Sequence, residues 1–128
     1  MESEIKKKRK PTDKPPLNRT PMFVDSYLDE LRLTPYEFRL FAHIIRRTGS
    51  KQGQKYWVPT AKAAKACQMS ESKVRESLQF LEKAGFIKKV NEAPGSAKVF
   101  MLQGHNKWPN DAAEVEQIRQ EIKDSKSL

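Results

Sequence analysis

Thr60-Ala-Lys-Ala-Ala-Lys-Ala-Cys67-Gln-Met-Ser70-Glu-Ser-Lys-Val74-Arg-Glu-Ser-Leu78-Gln-Phe-Leu81-Glu-Lys-Ala-Gly85-Phe86 is the stretch whose reading decides the fold. Thr60 and Ser70 are residue types that cap helices, because a short side-chain oxygen accepts a hydrogen bond from a free N–H of the first turn. The spacing predicts a short helix from Ala61 to about Cys67 and another beginning at Glu71, with only three residues between them. In the second of these, Val74, Leu78 and Leu81 share one face, and Gly85 is the stop.

Outward from this pair the pattern continues on both sides. Upstream, Thr34-Pro35-Tyr36-Glu37 combines a capping threonine, a proline at the first helical position and a glutamate at the third. A helix from about 35 to 48 follows, with Phe38, Phe41, Ala42 and Ile45 at helical spacing and Gly49 at its end. Ser50 to Lys55 reads as a loop, and Tyr56-Trp57-Val58 has strand-forming composition but needs a partner strand. Downstream, Phe86 to Val90 and Lys98 to Leu102 read as two strands joined by the Asn91 to Ala97 loop, a hairpin. After Trp108-Pro109, Asn110 is placed to cap a last helix carrying Val115, Ile118 and Ile122 on a narrow stripe. Met22 to Leu33 is apolar without a clear period. Trp57 and Trp108 read as packing residues.

The expected class is therefore mainly α with a small antiparallel β-sheet (α+β). Residues 1–20 form a disordered basic, proline-rich tail containing Lys6 to Lys10, residues 21–104 the domain, and residues 105–128 a C-terminal linker and helix. In 128 residues there is room for one ordinary domain. Net charge is +9 with a pI near 9.7, which points to polyanionic partners. By segment, residues 1–20 carry +4, residues 21–107 carry +7 and residues 108–128 carry −2, so the domain is basic without help from the tail. No apolar run approaches the roughly 18 residues of a membrane span, and no apolar stretch follows the N-terminal charges as a leader requires. The single cysteine, Cys67, makes no internal disulfide and reads as a small buried hydrophobe. These features suit a cytoplasmic protein.

Helix, short strand, helix, tight turn, helix and hairpin is the order of a winged helix-turn-helix domain. Met22 to Leu102 resembles that family, most specifically at Val58-Pro59-Thr60, Ala63-Ala64, Met69-Ser70, Val74, Leu78 and Leu81-Glu82-Lys83-Ala84-Gly85-Phe86-Ile87. The chain is similar to the winged helices of bacterial, plasmid and phage replication or transcription regulators. The fold so implied is a winged helix-turn-helix with an extra C-terminal helix. Two positions depart from the pattern. Gln68 stands where the family commonly has glycine, at a cost of about 1 kcal/mol if the backbone is left-handed there. Ala63 and Cys67 stand where leucine is frequent, which thins the core beneath their helix.

The resemblance implies that the Glu71 helix enters the major groove of double-stranded DNA, with the hairpin as a wing along the backbone or minor groove, in transcription regulation or in DNA replication and maintenance. In a bacterial source this means association with the nucleoid. A helical wheel places Ser72, Arg75, Glu76, Gln79 and Lys83 outward. Arg75 suits guanine and Gln79 suits adenine, while Ser70, Ser72, Lys73, Lys83, Lys88, Lys89 and Lys98 are candidates at phosphates or nearby. Glu71 and Glu76 oppose phosphate. The outward set is mixed in charge, so the alternative of a winged helix used as a protein-protein interaction module stays open. Exposed aromatics on a sheet, the mark of many RNA binders, are few in strands this short.

No catalytic set is evident. His43 and His105 have no metal-ligand companions at the usual spacing, and no glycine-rich phosphate loop or nucleophile elbow occurs. Neither a metal nor a cofactor is expected. Phe80 lies about 120° from Val74 on a helical wheel, at a position usually polar in the family, and with Tyr36, Leu40 and Ile44 it needs a cover. The Met22 to Leu33 segment, the C-terminal stripe or a second copy of the chain would serve, and a homodimer is the expectation.

Overall fold

The computed structural model describes residues 25–49, 54–90 and 98–126. The N-terminal tail of residues 1–20 and the wing loop of residues 91–97 lie outside them. The order is α1 (Ser26–Glu30), α2 (Pro35–Thr48), β1 (Lys55–Tyr56), α3 (Thr60–Cys67), α4 (Glu71–Lys83), β2 (Ile87–Val90), β3 (Val99–Leu102), a 3₁₀ turn (His105–Lys107) and α5 (Ala112–Lys126). The strands form one antiparallel sheet in the order β1-β3-β2.

Local chemistry accounts for the helix ends. Glu37 N donates to Thr34 Oγ1 at 3.2 Å and Thr34 N to Glu37 Oε1 at 2.9 Å, a closed capping box. Gly49 ends α2 in the left-handed region at φ 66°. Ser70 caps α4 by accepting from Lys73 N at 3.1 Å. Gln68 ends α3 at φ 57° and ψ 50°, so the left-handed turn is made without glycine. Its side-chain amide donates to Lys65 O at 3.1 Å, which offsets part of the strain.

Two expected caps are displaced by one residue. Pro59, not Thr60, is the N-cap of α3: its carbonyl already accepts from Ala63 N at 3.0 Å, so Thr60 is the first helical residue and its hydroxyl caps nothing. At α5, Asp111 takes the role read for Asn110, because its carboxylate accepts from Glu114 N at 2.9 Å. Glu114 reaches back to Asn110 N at 2.8 Å. The segment between Met22 and Leu33 contains a short helix, α1, that pattern alone did not fix.

The core lies where α2, α4 and the sheet meet. On α2 the buried residues are Glu37, Leu40, Phe41, Ile44, Ile45 and Thr48, so the inner face is centred on Leu40 and Ile44. Of the four residues expected on that face, Phe41 and Ile45 are buried and Phe38 and Ala42 are half-buried. α4, α3 and β1 all pack on this helix, and the broad stripe serves them together. On α4 Val74, Ser77, Phe80 and Leu81 are buried and Leu78 is half-buried. Ala63, Ala64 and Cys67 make the inner face of α3. Burial raises the Cys67 thiol pKa above its usual value, as suits a core residue.

Trp108 packs edge-on to Phe41 at 5.8 Å and against Phe86 at 5.0 Å, and its indole N–H donates to Gln103 O at 3.3 Å. Trp57 is 68% exposed and is not a packing residue. Phe80 is covered by the chain itself: α5 lies on α4, Val115 is buried, Ile118 and Ile122 pack on the core, and the Arg119 guanidinium sits 4.5 Å from the Phe80 ring centroid. Arg119 forms a fork with Glu37, Nη2 to Oε1 at 2.8 Å and Nη1 to Oε2, and the bond to Glu37 raises its pKa. Of the residues that called for a cover, Phe80, Leu40 and Ile44 are buried within one chain and Tyr36 is exposed.

Candidate nucleic-acid interface

The turn between α3 and α4 decides which side chains leave the core. Met69 N donates to Ala64 O at 3.0 Å, holding the chain against the end of α3 before Ser70 starts α4. With Val74 and Leu81 buried inward, the opposite side of α4 presents Arg75 and Gln79 one turn apart, followed by Glu82. These three line a groove of about 670 Å³ together with Thr60 and with Lys89 and Lys98 from the hairpin.

Sheet register explains why Lys89 joins the groove. Lys89 and Tyr56 both pair with Phe100, so all three side chains stand on one face of the sheet. Lys98, two residues before Phe100, lines the groove from the same side. Lys88 pairs with Met101, which puts it on the other face, across Met101 from Lys55 of β1. The adjacent lysines of β2 therefore serve different surfaces.

Of the remaining candidates, Ser72 is exposed at the start of α4. Ser70 is exposed, with its hydroxyl oxygen engaged as the cap. Lys73 points away from the groove: its ammonium is 3.1 Å from Glu76 Oε1 and 4.8 Å from the centroid of the Tyr36 ring. The hydrogen bond to Glu76 raises its pKa. Lys83 is 3.9 Å from Glu121 of α5. Arg75 lies 3.8 Å from Glu71 with both side chains more than half exposed, an attachment worth about 0.3–0.5 kcal/mol and weakened by salt. Glu71 and Glu76 are thus intrahelical partners of the basic residues. Arg75, Gln79, Lys89 and Lys98 come together; Lys73, Lys83 and Lys88 do not join them.

Two features escaped the sequence reading. Glu82 stands in the groove seven residues after Arg75, and the spacing i, i+4, i+7 was its signal. Thr60, read as a cap, lines the same groove at the start of α3. Behind the groove, Tyr56 is buried with no partner for its hydroxyl among the described residues, and its ring is 5.8 Å from His43, whose Nε2 is likewise unpartnered. Burial pushes the Tyr56 phenol up to about 12. Burial, then Arg39, Arg47 and Arg46, lower the His43 pKa. Among the described residues no group of three or more His, Cys, Asp and Glu side chains is placed to hold a metal, and no helix is long and apolar enough to cross a membrane.

This helix order, with a small three-stranded antiparallel sheet beside α4, is a mainly helical α+β fold compatible with a winged helix carrying an added C-terminal helix. No family model matches the chain, and no curated protein matches it. Among solved structures it is similar to a protein described as a "possible transcriptional regulator" from Methanosarcina mazei Go1, at 15% identity over 77% of this chain and 78% of that one, with a TM-score of 0.42. It is also similar to a protein described as a transcriptional regulator, at 17% identity over 77% of this chain and 66% of that one, with a TM-score of 0.37. Likeness this loose places no side chains, and the reading of the groove rests on its own residues.

Proposed function

We propose that the chain binds double-stranded DNA in a sequence-dependent way, with α4 in the major groove and the β2–β3 hairpin on the flanking backbone, in transcription regulation or in DNA replication and maintenance. The observation that carries this is the convergence of Arg75 and Gln79 with Lys89 and Lys98 on one groove. A major groove about 12 Å wide admits an α-helix, and its base edges are distinct there. Arg75 matches the two acceptors of guanine, Gln79 the acceptor and donor of adenine, and Glu82 accepts from the amino group of cytosine. Lys89 and Lys98, on the sheet face beside the helix, meet phosphates and fix its register, with Thr60 as a neutral phosphate donor at the start of α3.

The test separates base contacts from phosphate contacts. Sites are selected from random duplexes, and Arg75→Ala, Gln79→Ala, Lys89→Ala and Lys98→Ala are titrated against a selected and a scrambled duplex. The expected result is that the α4 variants lose affinity for the selected site by about 1–3 kcal/mol and barely change on the scrambled one, while the lysine variants weaken both alike. Equal losses on both duplexes for all four variants refute the assignment. Absence of duplex binding by the wild type moves the groove to the protein-interaction alternative, for which the mixed charge of α4 speaks.

A further inference from the structure

Trp57 is the largest exposed apolar side chain among the described residues, at 68% exposure. It follows the two-residue strand β1 and stands over a second groove, of about 280 Å³, whose polar lining is Arg47 from the last turn of α2, Lys55 from β1 and Lys62 from the first turn of α3. Among the described residues no carboxylate lines it. Arg47 and Lys62 make no ion pair within 4 Å among the described residues. Tyr56, Val58 and Pro59 line both this groove and the one facing α4, so the two meet along a shared rim.

Interface cores take tryptophan and arginine but are depleted in lysine, so an exposed indole with Lys62 and an Arg47 that makes no ion pair among the described residues fits a polyanion better than a protein partner. The indole is a poor fit to intact duplex, whose bases are stacked and offer no free face. A single strand supplies what both groups take: phosphates for Arg47 and Lys62, and a base face for Trp57. We propose that this groove holds an unpaired stretch of a DNA strand, with one base stacked on Trp57, adjoining the duplex held by α4. The position of the duplex rests on the reading above. The single-strand site stands on Trp57, Arg47 and Lys62 alone.

The experiment uses the full chain and a fluorescein-labelled deoxythymidine oligonucleotide of about 15 nucleotides, followed by anisotropy. Parallel titrations use a blunt duplex and the same duplex with a 5′ or a 3′ overhang. Trp57→Ala weakens oligonucleotide binding about tenfold, Trp57→Phe retains most of it, and blunt-duplex binding stays within about twofold for both. One of the two overhangs raises wild-type affinity over the blunt duplex, and Trp57→Ala removes that gain. Arg47→Ala and Lys62→Ala each lower the salt slope on the oligonucleotide by about 0.7. Because Trp57 is exposed, the variants should melt with the wild type, and circular dichroism verifies this. Oligonucleotide binding that is absent in the wild type, or unchanged in Trp57→Ala, overturns the proposal and leaves the indole to a protein contact. Loss of duplex binding alone, with the oligonucleotide result intact, refutes the α4 reading and spares this one.

Discussion

Gly85 and Gly49 offer a matched pair of perturbations. Both have positive φ, +91° and +66°, in which an L side chain is strained. A Cβ on Gly49 meets no atom within 4 Å among the described residues, whereas a Cβ on Gly85 falls 2.1 Å from Lys107 O and 3.1 Å from Lys107 C. Gly49→Ala therefore isolates the conformational cost, about 1–2 kcal/mol. Gly85→Ala carries that cost and also drives a methyl into the backbone of the 3₁₀ turn, which Trp108 anchors in the core. To restore an ordinary contact the turn must retreat by more than an ångström, and repacking of this kind adds about 1–3 kcal/mol. The expected loss is about 1–2 kcal/mol for Gly49→Ala and about 2–5 kcal/mol for Gly85→Ala, read from urea midpoints at constant m. Equal losses, or a Gly85→Ala loss below about 1 kcal/mol, would show that the junction between α4 and the wing is not held by Lys107.

Gln68→Gly removes a strained residue and one exposed hydrogen bond together, and the net expectation is a gain of up to about 0.5 kcal/mol in urea unfolding; a loss would show that the side-chain amide outweighs the strain. Arg119→Leu leaves the buried Glu37 carboxylate without its guanidinium, at a cost of about 3 kcal/mol, and adding Glu37→Leu should recover part of it; unchanged stability in the single variant refutes the role of this pair in fastening α5. His43 titrates lower when folded than its ordinary 6.5, so the unfolded chain binds more protons below that value. Its contribution is present above about pH 6.5 and is lost as pH falls toward the folded value. The urea midpoint should drop between pH 7.5 and 5, less so in His43→Leu, and an identical drop in that variant removes His43 as the cause.

Local signals carried most of the fold. The capping box, Gly49, Ser70 and Gly85 each act within a few residues, and α2, α4 and the hairpin strands fall close to where those residues place them. Where tertiary packing chose between neighbours, local reading slipped. Pro59 displaced Thr60 as a cap because its carbonyl was the first to find an intrahelical donor, and the inner face of α2 is centred on Leu40 and Ile44 because α3, α4 and β1 pack on it together. The cover over Phe80 required contacts between Glu37 and Arg119, 82 residues apart, which no pattern in either helix announces. At the candidate site, helical spacing identified Arg75 and Gln79. The division of Lys88 from Lys89 depended on strand register across Met101 and Phe100, and the exposure of Trp57 on a strand only two residues long.

Salt dependence of duplex binding tests the central claim most directly. Fragments of genomic DNA are titrated with the wild type and with a Lys89→Ala/Lys98→Ala variant at several salt concentrations between about 50 and 200 mM. If the groove holds DNA, log K falls linearly with log salt at a slope of about −3 or steeper, and the double variant shallows it by about 1.8, since each lost phosphate contact removes about 0.9. Weak binding that does not vary with salt, or a slope the double variant leaves unchanged, contradicts the account.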